Sequence, residues 1–364
     1  MAIYSKTLRG VFAAVLAAVA ASQALHAQQV TQMGTTDLKN EATALVGEQK
    51  YLEARPYIVE LIKRITDSED QNLKKELEQM YYFEAYGYLQ EYNSAPSNKL
   101  MNKAIAGFDK VIKEYPKGEY AESAIRTKAS CYELMNQPEK AIAARETLLT
   151  RPYVEKLNNR EQFALVKKIA ETIYNRRMWK IGQKWFERML GGAVLPEDKV
   201  FAASGLIQTA IANKDYDTAK KYFPYLVFDA PARSDIALNY ALLLAGDDMV
   251  KKEKFSDASV FYNMVLSRDT IMANLNRFLE KAKVQLARAE RVSADSQAAV
   301  DLRNKVAVLE AYVQAMGSVE DYSADLMARA ARNYMLTERD FESFWSYWQL
   351  LKTFTTHPSI EDFY

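Results

Sequence analysis

One local pattern returns along this chain and constrains its fold more than any other feature. An aromatic or apolar residue is followed three positions on by a small residue, four further by a large apolar one and three further by another. In the fullest copies a proline follows five beyond. Tyr216, Ala219, Phe223, Leu226 and Pro231 carry it complete, and Ala104, Phe108, Val111 and Pro116 repeat it. Tyr51, Ala54, Ile58 and Leu61 carry it without the proline, as do Phe255, Ala258, Tyr262 and Val265. Trp179, Gly182, Phe186 and Met189 match with Gly as the small residue, and Ala141 and Leu148 match with Arg145 at the large position. Phe341, Phe344, Trp348 and Leu351 match loosely, with Phe where a small residue is wanted. The small positions are 54, 104, 141, 182, 219, 258 and 344, separated by 50, 37, 41, 37, 39 and 86 residues. The last gap is about two periods, so one degenerate copy lies inside it.

The pattern has a physical reading. Residues three or four apart share a helical face. A small residue lets two antiparallel helices approach, and the large ones beyond it fill the gap to the next pair. A proline ends a helix because it lacks an N–H and clashes with the preceding turn. One such pair cannot bury its apolar face alone, so pairs must stack. The chain holds 12 Gly and 9 Pro in 364 residues. That is too few for the many turns of a sheet protein and agrees with long helices.

Spacing and residue set together resemble the tetratricopeptide repeat, a helix–turn–helix unit of about 34 residues. The resemblance covers most of residues 36–354 and is strongest from 98 to 231. It implies an all-α fold, an α-α superhelix of about eight helical hairpins. Within it, residues 28–267 are expected to form a repeat solenoid, 268–318 a long helical hairpin and 319–364 a capping repeat. The run from Ala104 to Pro116, followed by Tyr120, Ala121, Ala124, Ala129 and Cys131, resembles repeats of Gram-negative envelope proteins. These are the outer-membrane-assembly lipoproteins and the periplasmic proteins linked to the Tol–Pal system. The chain departs from the lipoproteins in having no cysteine at a cleavage point.

Residues 1–27 read as a signal peptide. Lys6 and Arg9 precede an apolar run from Val11 to Ala21, and Ala27 offers a small residue at the cleavage position, with Ala24 as a second site. That run is too short to span a bilayer comfortably, although an uncleaved anchor is the alternative. The expected location is therefore periplasmic or secreted. The net charge of +1 gives no electrostatic footprint for nucleic acid. Outside the leader no segment is apolar enough for a transmembrane helix.

The residues for chemistry are missing. Cys131 is the only cysteine, and His357 is the only histidine after residue 27. They form no metal-ligand cluster and no nucleophile–base pair. Gly191-Gly192 is a turn and not part of a phosphate loop. The expectation is no catalytic residue, no metal and no cofactor. Cys131, between apolar neighbours, reads as a buried small hydrophobe. Two stripes, Leu275–Leu286 and Val300–Met316, are joined by a polar segment in which Ser293 or Asp295 caps the second helix. This hairpin extends the stack or, in the sharper reading, projects as a dimerising arm. The cluster Phe344-Trp345-Ser346-Tyr347-Trp348 packs Phe344 and Trp348 on the preceding hairpin with Tyr347 shielding the end, or else it is an exposed patch for a partner or a sugar ring.

In the tetratricopeptide family the first helix of each unit lines a concave groove. Carried onto this sequence, that implies partner-binding positions at Tyr82 and Tyr86, Arg126 and Ser130, Lys167, Glu171 and Tyr174, and Phe201, Ser204 and Gln208. The family's clamp for a peptide carboxylate is broken here, because Ser130 follows Arg126 and Glu171 follows Lys167. The resemblance thus implies a non-enzymatic scaffold for an envelope protein or a peptide segment of one. Two alternatives remain, a glycan-binding helical-repeat protein and a self-assembling structural protein, which keeps homo-oligomers open.

Overall fold

The computed structural model describes residues 28–227 and 230–355. The leader and His357 lie outside the described residues. Those described form helices, with no strand among them. The chain divides into two compact units between Leu165 and Val166.

The first unit contains α1 (Thr35–Gly47), α2 (Tyr51–Asp67), the short α3 (Gln71–Lys74), α4 (Leu77–Ser94), α5 (Asn98–Glu114), α6 (Ala121–Leu134) and α7 (Pro138–Leu148). α8 (Asn159–Asn175) carries the division. The second unit continues with α9 (Gly182–Gly192), α10 (Pro196–Ala212), α11 (Tyr216–Lys221), α12 (Ile236–Lys251), α13 (Phe255–Tyr262), α14 (Arg268–Val292), α15 (Gln297–Gly317), α16 (Ser323–Leu336) and α17 (Asp340–Thr353). Consecutive helices pair as α1/α2, α4/α5, α6/α7, α10/α11, α12/α13, α14/α15 and α16/α17. In the eighth pair the Tyr174 ring of α8 meets Phe186 of α9 edge-on at 6.3 Å. The fold is therefore an all-α array of hairpins in the tetratricopeptide manner, as the repeat implied.

α5 shows why these residues make these helices. Ser97 caps its N-terminus by accepting from the Lys99 N–H, one of the donors that a helix start leaves unpaired. Met101, Ala104, Ile105, Phe108 and Val111 then fall on one face and are all buried. Pro116 stops the helix.

The hairpin turns repeat more faithfully than the sequence does. Gln49, Asn136, Arg177, Lys214, Glu253 and Glu338 all adopt a left-handed conformation with φ between 53° and 59°. In each turn the next residue donates its N–H to the carbonyl five positions back: Lys50 to Leu45, Gln137 to Tyr132, Met178 to Ile173, Asp215 to Ala210, Lys254 to Met249 and Arg339 to Tyr334. This is the Schellman closure, which satisfies the carbonyls a helix end leaves free.

Five residues after each left-handed position comes the small residue. Ala54, Ala141, Gly182, Ala219 and Ala258 are all buried there. The same count from Glu338 gives Ser343, not Phe344. Ser343 is buried and donates its hydroxyl to the Ala331 carbonyl at 3.0 Å. The sequence register of the last repeat is therefore one residue off. α17 buries Ser343 and Leu350, while Phe344 and Trp348, expected against the preceding hairpin, point outward.

The α14/α15 hairpin does not extend the stack. α16 packs on α13, bypassing the intervening hairpin. The excursion leaves and returns at one place, where the Tyr322 hydroxyl donates to the Leu266 carbonyl at 2.7 Å and Arg268 donates to the Gly317 carbonyl at 3.4 Å. A core of Ile271, Leu275, Leu279, Val306, Leu309 and Met316 holds the two helices together, with Ile236 of α12 packed against it. The cap of α15 is Ser296, which accepts from the Ala299 N–H. Ser293 instead closes the end of α14, and Asp295 makes no cap. The hairpin lies against the second unit, with Ile236 packed on its core and Lys305 of α15 4.0 Å from Glu197 of α10.

Candidate partner-binding site

The positions carried over from the repeat family meet different fates. In the first unit Tyr82 and Tyr86 stand 5.5 Å apart, ring to ring. Around them are Phe108, 5.7 Å from Tyr82 and 6.1 Å from Tyr86, and Tyr120, 5.1 Å from Tyr82. Tyr51 lies 4.9 Å from Tyr86. These rings fill the space between hairpins, and burial raises the Tyr82 phenol pKa above its usual range. Arg126 is tied to Glu122 one turn back, at 2.6 Å. Ser130 returns its hydroxyl to the Arg126 carbonyl at 3.3 Å. Both side chains stay on the surface.

In the second unit Lys167 is committed to the buried Asp198 carboxylate at 2.7 Å, which makes it a structural cation. Glu171 stays partly accessible. The Tyr174 hydroxyl donates to Asp235, and its ring lies 4.8 Å from that of Phe201. Burial, then the Asp235 charge, hold the Tyr174 phenol well above the usual tyrosine range, so it stays protonated. Ser204 and Gln208 are buried, so neither lies on an open face. α10 is covered almost all round, with eleven of its residues buried. The α14/α15 arm reaches this region, where Lys305 of α15 stands 4.0 Å from Glu197 of α10. The Tyr312 phenol pKa is raised by burial and by Asp235.

Gln208 opens onto something the sequence did not show. A cavity of about 610 Å³ lies between α10, α12, the one-turn 3-10 helix Trp179–Ile181 and the segment after α15. Its walls are apolar: Trp179, Ile211, Ile236, Leu243, Val319 and Tyr322 line it, with Ala212, Ala237 and Ala241 where larger side chains would close it. Tyr240 and Leu244, one turn apart on α12, are exposed at its edge, and Arg177 and Glu320 bring opposite charges to the lining. The Gln208 Nε2 has no hydrogen-bond acceptor in satisfying geometry, although its amide lies near enough to Tyr174 to favour the phenolate. The neighbouring Asn239 is fully committed. Its Oδ1 accepts from Arg233 at 3.1 Å and from the Leu266 N–H at 2.8 Å, and its Nδ2 donates to the Asp235 carbonyl at 2.8 Å. Burial lowers the Arg233 pKa to about 10, so it remains a cation at neutral pH, and it also donates to the Met264 carbonyl.

An apolar group that entered such a cavity would be removed from water by its lining, as in many binding pockets. Residues 236–246 are apolar on nearly every face, more than one buried stripe requires, but that excess does not say which of them line a cavity.

Cys131 is buried and its thiol is pushed up to about 12, which leaves it unreactive. Among the described residues no group of His, Cys, Asp and Glu is arranged to hold a metal ion. No described helix is long and apolar enough to cross a membrane.

No family model matches the chain. No curated protein matches it in sequence. Among solved structures it is similar to a tetratricopeptide repeat protein from Parabacteroides merdae, at 11% identity over 90% of this chain and 96% of that one, with a TM-score of 0.36. It is also similar to PilF of Pseudomonas aeruginosa, at 14% identity over 79% of this chain and 96% of that one, TM-score 0.28. A third is the C-terminal part of a repeat-containing protein from Cytophaga hutchinsonii, at 13% identity over 78% of this chain and 98% of that one, TM-score 0.31. Scores this low add nothing on function, and the hairpin fold stands on the helices and turns described above.

Proposed function

We propose that this protein is a non-enzymatic, exported scaffold of the bacterial cell envelope, periplasmic or secreted, that holds a segment of another envelope protein. The observation that carries the reading is the apolar cavity of about 610 Å³ in the second unit, with Tyr240 and Leu244 exposed at its edge. A bulky apolar side chain of the partner enters the cavity. Anchoring a side chain in a water-free pocket is how a small part of an interface supplies most of its affinity. Glu171, in the same unit, adds an accessible polar side chain. Export rests on the Lys6/Arg9 leader and its apolar run, and the envelope setting on the repeat subtype.

Two measurements test this. The full chain is expressed with an epitope at its C-terminus, and the fraction holding a product that begins at Gln28 is identified. An intact leader on protein that stays in the cytoplasm would sink the export half. A photo-crosslinking residue at Tyr240 is then activated in living cells, with and without Ala241→Phe, which fills the cavity. One envelope protein captured from Tyr240 and lost with the filled cavity supports the reading. Capture that ignores Ala241→Phe removes the cavity from it, and enrichment of glycan in place of protein selects the sugar-binding alternative.

A further inference from the structure

The corrected register of α17 turns four large aromatic side chains to solvent. Phe341, Phe344, Trp345 and Trp348 are 75%, 66%, 51% and 52% exposed, whereas the opposite face of the helix buries Ser343 and Leu350. They lie at helical spacings of three, four and seven, so they form one contiguous stripe. Met335 and Leu336, at the end of α16, add exposed apolar surface beside it. An aromatic side chain presents about 200 Å², and at these exposures the four together offer roughly 500 Å². That lies near the top of what a monomer ordinarily shows to water. It is also more than half of the ~800 Å² per partner that a stable protein interface buries.

We propose that this stripe is the interface between two copies of the chain, paired about a two-fold axis with their α17 helices antiparallel. The arrangement of charge selects that occupant. Acidic residues stand at the start of the stripe, at Glu338 and Asp340, and Lys352 stands at its end, all exposed. Arg339 is neutralised by Glu342 at 2.8 Å. Antiparallel pairing centred between Phe344 and Trp345 sets Phe344 against the partner's Trp345 and Phe341 against the partner's Trp348. It also brings Lys352 beside the partner's Glu338. Each contact then occurs twice, as a two-fold interface requires. Parallel pairing would set acid against acid and Lys352 against Lys352. Aromatic pairs at the centre supply the affinity, and the end charges set direction. The surface is separate from the cavity, so the two proposals stand or fall independently.

Sedimentation equilibrium on protein purified from cells expressing the full chain tests this, with circular dichroism as the folding control. The wild type should reach twice the monomer mass at micromolar concentration. Phe344→Glu with Trp345→Glu should raise the dimer Kd ~100-fold or more, since central aromatic anchors each carry at least ~30-fold. Lys352→Glu alone and Glu338→Lys alone should each weaken the dimer several-fold, and the double variant should restore it. The two charge variants leave the aromatic stripe and the core untouched, so they keep the test open if the aromatic variant misfolds. A wild type that stays monomeric overturns the proposal. If its tryptophans then become quenchable by acrylamide only after residues 356–364 are deleted, the chain's own end covers the stripe. A dimer indifferent to the aromatic variant places the interface elsewhere, and charge effects without rescue by the double variant refute the antiparallel arrangement.

Discussion

The two units solve one packing problem in opposite ways. In the first, α4 presents Tyr82, Phe83 and Tyr86 to the space between hairpins, and these rings close on Tyr51, Phe108 and Tyr120. In the second, α10 and α12 present Ala212, Ala237 and Ala241 to the equivalent kind of space, and a cavity of about 610 Å³ is left. The same repeat therefore yields either a filled joint or an open cavity. The choice is made by side-chain volume on the first helix of each pair, not by a change of fold. Interiors are packed densely enough that leaving such space has a stability cost, so a cavity that persists points to use.

The largest effect comes from emptying the filled joint. Phe108 is fully buried at the centre of that aromatic group, and Phe108→Ala should cost about 4 kcal/mol, read as a drop in denaturation midpoint. A loss below about 1 kcal/mol would mean that the rings re-close without it. Next is the close approach in the second unit. A Cβ on Gly246 would lie 2.4 Å from the Tyr262 ring, so Gly246→Ala should destabilise by about 2 kcal/mol despite the better helix propensity of alanine. A stabilised variant would show that α12 can shift away from α13. Filling the cavity ranks third: Ala241→Phe should move stability by less than about 1.5 kcal/mol while abolishing partner capture. A large loss of stability would mean that the space is smaller in solution. The smallest effect belongs to the turns. Arg177 holds φ 53° at the cavity lining, and Arg177→Gly should stabilise by about 1 kcal/mol, seen as a small rise in melting temperature. No change would mean that its side chain contributes as much as its backbone conformation costs.

How far the sequence could be read follows from the same physics. The small residues at 54, 104, 141, 182, 219 and 258 were legible because helix crossing tolerates little else there, and each of them is buried. The last repeat was misread by one position. Ser343 is as small as the site needs, but the aromatics beside it matched the large-residue positions of the pattern. The left-handed turns gave no signal, since their residues are Gln, Asn, Arg, Lys and two Glu, with no glycine to mark them. Five of them lie five residues before the small residues at 54, 141, 182, 219 and 258, and the sixth, Glu338, lies five before Ser343. Of the ten partner-binding positions, Gln208 leads to the cavity and Arg126, Ser130 and Glu171 keep open side chains. Tyr82, Tyr86, Tyr174 and Phe201 are spent on ring packing. Nothing local marks Tyr240 or Leu244, because the cavity is assembled from segments between Arg177 and Tyr322 that only stacking brings together.

The α14/α15 hairpin departs and returns at one place, where Tyr322 donates to Leu266 and Arg268 to Gly317, while α16 docks on α13. That junction behaves as a socket. An insert of different length or sequence can be exchanged there without altering the order in which hairpins stack, because the two ends already meet. Val319 and Tyr322, at the foot of the hairpin, also line the cavity, so such an exchange would reshape the cavity. Exchange of this one segment would thus change what the cavity admits, with loss of the contacts that the hairpin makes with Ile236 and Glu197.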